Sequence, residues 1–428
     1  MANMKDKTKI RRQFFDSLKR GTGEAFLLAQ DNPEIDFSPY IIKGIVKNYA
    51  YDGQSEGDRA QYIYDLISLS KKKGEIRKAV LRGLAAERKD TWTLTHLFAL
   101  AKIYAQKGDD ELRQAIYDRF LYNPIDGSDW VGYSEILELG GFQGLLYISE
   151  KYGTWLGESP DRWVDDHIIK NFQDDNPQIK VLQELDKAAR TNPHVKIYLD
   201  CIQKTEACRK PNITDIEKYS DIVDEALNIK YFAIRRRRKG LSEFELAQIA
   251  KRLLEERSMV NQEKLLAVFC IFKFPFDSSF ILRLAKQKFS KKCRISEFAT
   301  CALKHLKAKN IRNFALKRIM KAQKPNLYAD ILVSNYENGD SRILTAVARK
   351  FKNKDIVECL AASYIAILKS NKTKECKEPL EELYGKMNCG IHRLALVEVL
   401  IENDVLSEKL REEIRYDSYP ETRELAKR

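Results

Sequence analysis

Along almost the whole chain, apolar side chains recur with the 3.6-residue period of an α-helix, and short polar turns join the stretches that carry it. Ile41, Ile42, Ile45, Val46 and Tyr49 form one such stripe; Leu94, Leu97, Phe98, Ala101 and Tyr104 form another. A chain of this kind buries its stripes only by packing helix on helix. Glycine (19) and proline (11) are both scarce among the 428 residues. That leaves too few breakers for a sandwich or a barrel, so the expected fold is all-α. The length exceeds what one compact core holds, which leaves several domains or one extended array of helices.

Local signals place the helices. Ser38-Pro39 reads as a capping hydroxyl followed by proline at the first helical position. Helices are expected near 58–69, 75–86, 91–106 and 109–121. Tyr122 to Gly144 holds five glycines and reads as a long connection with one short helix. Helices resume near 144–152, 160–173, 177–190, 194–205 and 213–229. Ser242 and Glu245 have the S-x-x-E spacing of a capping box. The run Val268 to Phe276 is apolar nearly all round, and Pro275 makes it a buried helix end rather than a strand. Helices then follow to the last residues. The aromatics Tyr49, Tyr51, Tyr62, Tyr64, Tyr104, Tyr117 and Tyr122 sit mostly at core spacing. Lys19-Arg20-Gly21-Thr22-Gly23 lacks the spacing of a phosphate loop and reads as an ordinary turn.

In the second half an arginine repeatedly stands just ahead of an alanine inside an apolar helix: Arg294…Ala299, Arg312…Ala315, Arg342…Ala346, Arg393…Ala395 and Arg423…Ala426. A small residue there lets neighbouring helices approach closely, and a recurring helix pair is the mark of a solenoid. The last unit, Asp417-Ser418-Tyr419-Pro420-Glu421-Thr422-Arg423-Glu424-Leu425-Ala426, resembles the Asp, Pro, Arg, Ala pattern of HEAT-like, armadillo-type repeats. Asp175-Asn176-Pro177-Gln178-Ile179-Lys180 is a weaker copy, with Lys where Arg is usual, and Asn388 to Leu400 fits a first repeat helix. The likeness covers residues 160–428 by pattern. It implies a right-handed superhelix of antiparallel helix pairs that serves as a curved scaffold for proteins or nucleic acids. The chain is accordingly read as N-terminal repeats (1–121), an irregular connection and acidic repeats (122–229), basic repeats (230–324) and C-terminal repeats (325–428), in one continuous solenoid.

Charge is distributed unevenly along this array. Lys230 to Lys324 carries 25 Lys/Arg against 7 Asp/Glu, a net +18 in a chain whose total is +13. Gly108 to Ile229 carries 13 against 24, a net −11. The candidate partner-binding residues are therefore Arg235, Arg236, Arg237, Arg238 and Lys239, then Lys288, Lys291, Lys292 and Arg294 at one turn, Lys307, Lys309 and Arg312 at another, and Lys317, Arg318 and Lys321 beyond it. Clustered cations of this kind release counterions from a phosphate backbone or meet an acidic protein surface. They also suit head-to-tail contact with the acidic section of a second copy.

Other chemistry finds few residues. The eight cysteines include no Cys-x-x-Cys pair. They read as free thiols of a cytosolic protein, with no metal or cofactor expected. Met1 to Lys9 lacks a signal-peptide pattern, and no apolar run nears the ~18–20 residues that span a bilayer. Asp165-Asp166-His167, after Trp163, is the sole acid–histidine cluster in sequence, and no nucleophile motif accompanies it. A non-catalytic scaffold is the leading reading. The alternative comes from the HEAT-like DNA glycosylases, whose resemblance would require Trp163 and Asp166 to face a basic groove.

Overall fold

A computed structural model of the chain describes residues 4–56, 59–158, 161–207, 219–288 and 293–427. The regular structure of the described residues is helical, with turns between the helices and no β-strand. They form two compact units. One comprises Met1–Thr214 with Tyr416–Ser418, the other Asp215–Arg415 with Tyr419–Arg428.

In the first unit, helix Met4–Arg20 packs on Ser38–Ile45, that helix on Lys73–Ala86, and that one on Asp110–Arg119. A second succession runs from Ala60–Ser68 through Thr91–Gln106 and Tyr133–Gly157 to Pro193–Ala207. The rows also pack on one another: Ser38–Ile45 meets Ala60–Ser68, and Lys73–Ala86 and Asp110–Arg119 both meet Thr91–Gln106. Thr91–Gln106 lies deepest, with Leu94, Leu97, Phe98, Leu100 and Ala101 all buried. Its start is fixed by the Asp90 carboxylate, which accepts from the Trp92 N–H. Tyr62 is buried and donates to the Thr22 carbonyl at 2.9 Å, whereas Tyr51 and Tyr122 reach solvent.

Two local features differ from what the sequence leads one to expect. Ser38 does not cap its helix; it lies inside Ser38–Ile45, and its hydroxyl instead meets Ser70 Oγ at 2.8 Å. Proline still stands at the helix start. The glycine-rich segment is more helical than its composition implies. Helix Tyr133–Gly157 begins after Gly132, whose φ of 101° turns the chain, and Gly141 (φ 54°, ψ −131°) takes up a kink within it. Further on, Gly153 lets this helix touch the backbone of Pro193–Ala207.

In the second unit the row Met259–Phe269, Ile295–Ala302, Pro325–Ala329, Lys354–Ser370, Gly390–Glu402 and Pro420–Leu425 packs in sequence order. The second row includes Ser341–Lys350, which packs on Lys377–Tyr384. Ser242 and Glu245 form the expected capping box at the start of Glu243–Glu255. The apolar run ends a helix as expected: Phe269 closes Met259–Phe269, and Phe274 is buried edge-on to it. Ala299 and Ala315 are buried. Ala346 is exposed, and Ala395 and Ala426 are half-buried, so the Arg–Ala pattern does not mark one repeated contact. Among the described residues, no helix is long and apolar enough to cross a membrane, and the described cysteines are free.

Candidate functional site

The basic section opens on helix Phe232–Arg236, anchored by the buried side chains of Phe232 and Ala233. The anchor turns Tyr231, Ile234 and Arg235 outward, and Arg237, Arg238 and Lys239 follow in the open turn that Gly240 closes at φ 78°. Arg235, Arg237, Arg238 and Lys239 make no ion pair with a described residue. Arg236 differs from its neighbours. Its guanidinium turns back to the Glu225 carboxylate (Nε to Oε1 3.1 Å) and covers the Phe232 ring at 5.7 Å. It is a strut of the fold rather than part of the exposed run.

Further along, Lys288, Lys307, Lys309, Lys317, Arg318 and Lys321 are exposed and free of described ion partners. Arg294 is committed: it pairs with Glu297 at 3.2 Å and lies over the Phe298 ring at 4.5 Å. Arg312 is committed more deeply, donating to Asp340 at 2.5 Å and reaching Glu337 at 3.2 Å with a side chain 17% exposed. Lys291 and Lys292 lie outside the described residues.

Several acids of this section are used locally. Glu245 is spent in the capping box, where the Ser242 N–H and hydroxyl hold its carboxyl below the usual range. Glu256 pairs with Arg252 at 2.7 Å, and Glu297 holds both Arg294 and Lys324. The exposed cations therefore keep their excess of charge.

Sequence reasoning missed the apolar component of this surface. Among the described residues of the section, Tyr231 (63%), Ile234 (63%), Phe244 (72%), Met259 (59%) and Val260 (64%) are the most exposed large apolar side chains, joined by Leu254 and Phe276. Beside them, helices Ile222–Asn228 and Glu243–Glu255 border an open cleft of about 760 Å³ lined by Val223, Leu227, Phe244, Lys251 and Phe276. A signal was present: Phe244 stands in the first turn of its helix among Ser242, Glu243 and Glu245, off the buried stripe Ile249, Ala250 and Leu253.

In the acidic section, Trp163 is 67% exposed. Asp166 is buried and ion-paired with Lys170, and Asp165 is paired with His167. A second cluster was also missed. Glu358 of helix Lys354–Ser370, Cys389 at the start of Gly390–Glu402 and His392 one turn into it bring their ligand atoms within 4.8 Å of one another. The cluster's local part is Cys389-x-x-His392, a spacing that pairs a thiol with an imidazole rather than with a second thiol. Glu358 and Cys389 are buried, and His392 keeps a side chain 32% exposed. Cys389 and Glu358 together push the imidazole pKa up to about 10. No protein-family model, curated protein or solved structure matches the chain.

Proposed function

We propose that the chain is a non-catalytic α-solenoid scaffold of the cytosol, built of antiparallel helix pairs in a right-handed, HEAT-like superhelix. Its basic section docks an acidic protein segment that also carries large apolar side chains. The packing of each helix on the next member of its row supports the solenoid reading.

The observation that carries the binding reading is the pairing of two surface properties within a short stretch. Arg235, Arg237, Arg238 and Lys239 are exposed without ion partners, and Tyr231, Ile234, Phe244, Met259 and Val260 are exposed beside them in sequence. Nucleic-acid interfaces are polar and cationic, and aliphatic side chains gain little on a phosphate backbone. Protein interfaces are enriched in Arg, Met and aromatic residues, with an apolar centre and a charged rim. The mixture here matches the second description. Lys288, Lys307, Lys309, Lys317, Arg318 and Lys321 add long-range attraction, which raises the association rate of an acidic partner. The glycosylase alternative gains no support, because Asp166 is buried against Lys170 within an acidic section.

The test is binding of a fluorescent acidic peptide with interspersed Leu and Phe, beside a poly-Glu peptide and DNA and RNA oligomers of equal charge. The apolar acidic peptide should bind tightest, and Phe244→Ser should weaken it by about tenfold, as expected for an apolar anchor. Tighter binding of an oligonucleotide, unaffected by Phe244→Ser, would transfer the surface to nucleic acid. Binding confined to a second copy, seen as concentration-dependent self-association, would make the acidic section of this chain the partner.

A further inference from the structure

The cluster at Glu358, Cys389 and His392 stands apart from the basic surface and presents three ligand types on two packed helices. Cys389 stands at the N-cap position of helix Gly390–Glu402, and His392 one turn on, so sulfur and imidazole share a face. Glu358 reaches them from helix Lys354–Ser370. Its Oε1 accepts the Cys389 backbone N–H at 3.1 Å, which fixes the carboxylate's orientation. Its Oε2 lies 3.0 Å from His392 Nδ1. That approach is close enough for an ion pair but misaligned, and both atoms are buried without a hydrogen bond. The Glu358 side chain is only 7% exposed, so its carboxylate, the thiol and the imidazole are three donor groups gathered in a largely buried place.

We propose that Glu358 Oε2, Cys389 Sγ and His392 form a binding site for a divalent transition-metal ion of the zinc type. A thiolate, an imidazole and a carboxylate are the donor set that zinc takes, and three protein ligands leave the fourth position for water or an external ligand. Zinc–sulfur and zinc–nitrogen bonds of about 2.3 and 2.0 Å need ligand atoms somewhat closer than 4.8 Å. Side-chain rotation of His392, the one member with substantial exposure, closes that gap and gives the ion a route inward. The Cys389 N–H on Oε1 then acts as the orienting contact that metal-bound carboxylates commonly have. On binding, the thiol proton and any imidazole proton pass to solvent, and no redox change is involved.

The full chain, reduced and stripped with a chelator, would be titrated with Co²⁺ alone. The expected result is one ion per chain, with a thiolate-to-cobalt charge-transfer band and the intense visible bands of a four-coordinate ion. Zinc should displace the cobalt. Cys389→Ser should abolish the charge-transfer band, and Glu358→Gln should weaken affinity by about tenfold or more, in the range seen when one contact to a metal site is lost. Cys359→Ser and Cys376→Ser should leave the spectrum unchanged, and far-ultraviolet circular dichroism would confirm that each variant is folded. If Cys389→Ser does not fold, His392→Gln provides the same comparison, with the band weakened and shifted. Absence of the band in the reduced wild-type chain, or its survival in folded Cys389→Ser, would overturn the proposal.

Discussion

Arg312 donates to Asp340 at 2.5 Å, and Asp340 in turn accepts the Glu337 N–H at 2.9 Å. The pair ties helix Lys309–Ile319 to the turn ahead of Ser341–Lys350. Asp340 is nearly inaccessible, at 3% exposure, so truncating its partner leaves an uncompensated buried acid. Arg312→Ala is expected to destabilise the chain by about 2–4 kcal/mol, as for other broken buried pairs. Lys317→Ser, on the exposed face of the same helix, should stay within about 0.5 kcal/mol. Urea unfolding followed by circular dichroism compares the two. Arg312 is therefore a fold residue, although its position in the sequence placed it with the binding cations.

Arg77 makes a two-pronged contact with Asp109, at 2.5 and 2.7 Å, while Asp109 also caps the following helix through the Leu112 N–H. Hydrogen bonds from Arg77 hold the Asp109 carboxyl below its ordinary value of 3.8, against the opposing effect of burial. A carboxyl with a lowered native pKa contributes stability above its unfolded value, and that contribution is lost as pH falls through the native one. Arg77→Ala should lower stability by about 1–2 kcal/mol at pH 7, allowing for partial exposure. The gap between wild type and variant should narrow in acid, below the ordinary carboxyl range. Unfolding curves at neutral and acid pH measure it, and a gap that widened in acid would show that the pair does not act as described.

Two glycines should respond oppositely to alanine. A Cβ on Gly153 would stand 1.8 Å from the His194 carbonyl oxygen, so Gly153→Ala must push helices Tyr133–Gly157 and Pro193–Ala207 apart. A loss of about 1–3 kcal/mol or more is expected. Gly74 lies in the first turn of Lys73–Ala86, where a Cβ would meet nothing within 4 Å, and Gly74→Ala should stabilise by about 0.4–1 kcal/mol. Thermal unfolding of both variants gives the comparison.

The capping box can be tested alone. Ser242 Oγ accepts the Glu245 N–H at 3.2 Å, and Glu245 accepts the Ser242 N–H at 2.7 Å. Ser242→Ala should cost about 1 kcal/mol. Amide exchange should rise most in the first turn of Glu243–Glu255, the segment that presents Phe244.

Features set by neighbouring residues were legible in the sequence. The bounds of Thr91–Gln106 follow from its stripe and its turns, and the Ser242–Glu245 box follows from spacing alone. Features set by distant residues were not. Ser38 finds Ser70 across 32 positions, and that bond removes its hydroxyl from capping. The kink at Gly141 depends on a single backbone conformation that composition does not specify. Arg236 and Arg312 look like members of a free basic run until Glu225 and Asp340, 11 and 28 residues away, are brought against them. Likewise Glu358 joins Cys389 across 31 positions, beyond any local motif. Charge excess was legible because it sums over sequence; the apolar side chains exposed within it depend on which face each helix buries.

Salt dependence separates charge from apolar contact most directly. Affinity for the apolar acidic peptide would be measured from low to high salt in the wild-type chain and in the triple variant Arg235→Ser, Arg237→Ser, Arg238→Ser. A shallow salt slope is expected in the wild type, with binding that persists at high salt through Phe244, Met259 and Val260, and a still shallower slope in the variant. A steep linear fall that extinguishes binding, approached equally by an oligonucleotide of the same charge, would contradict the apolar-anchored reading and make the surface a phosphate-backbone site.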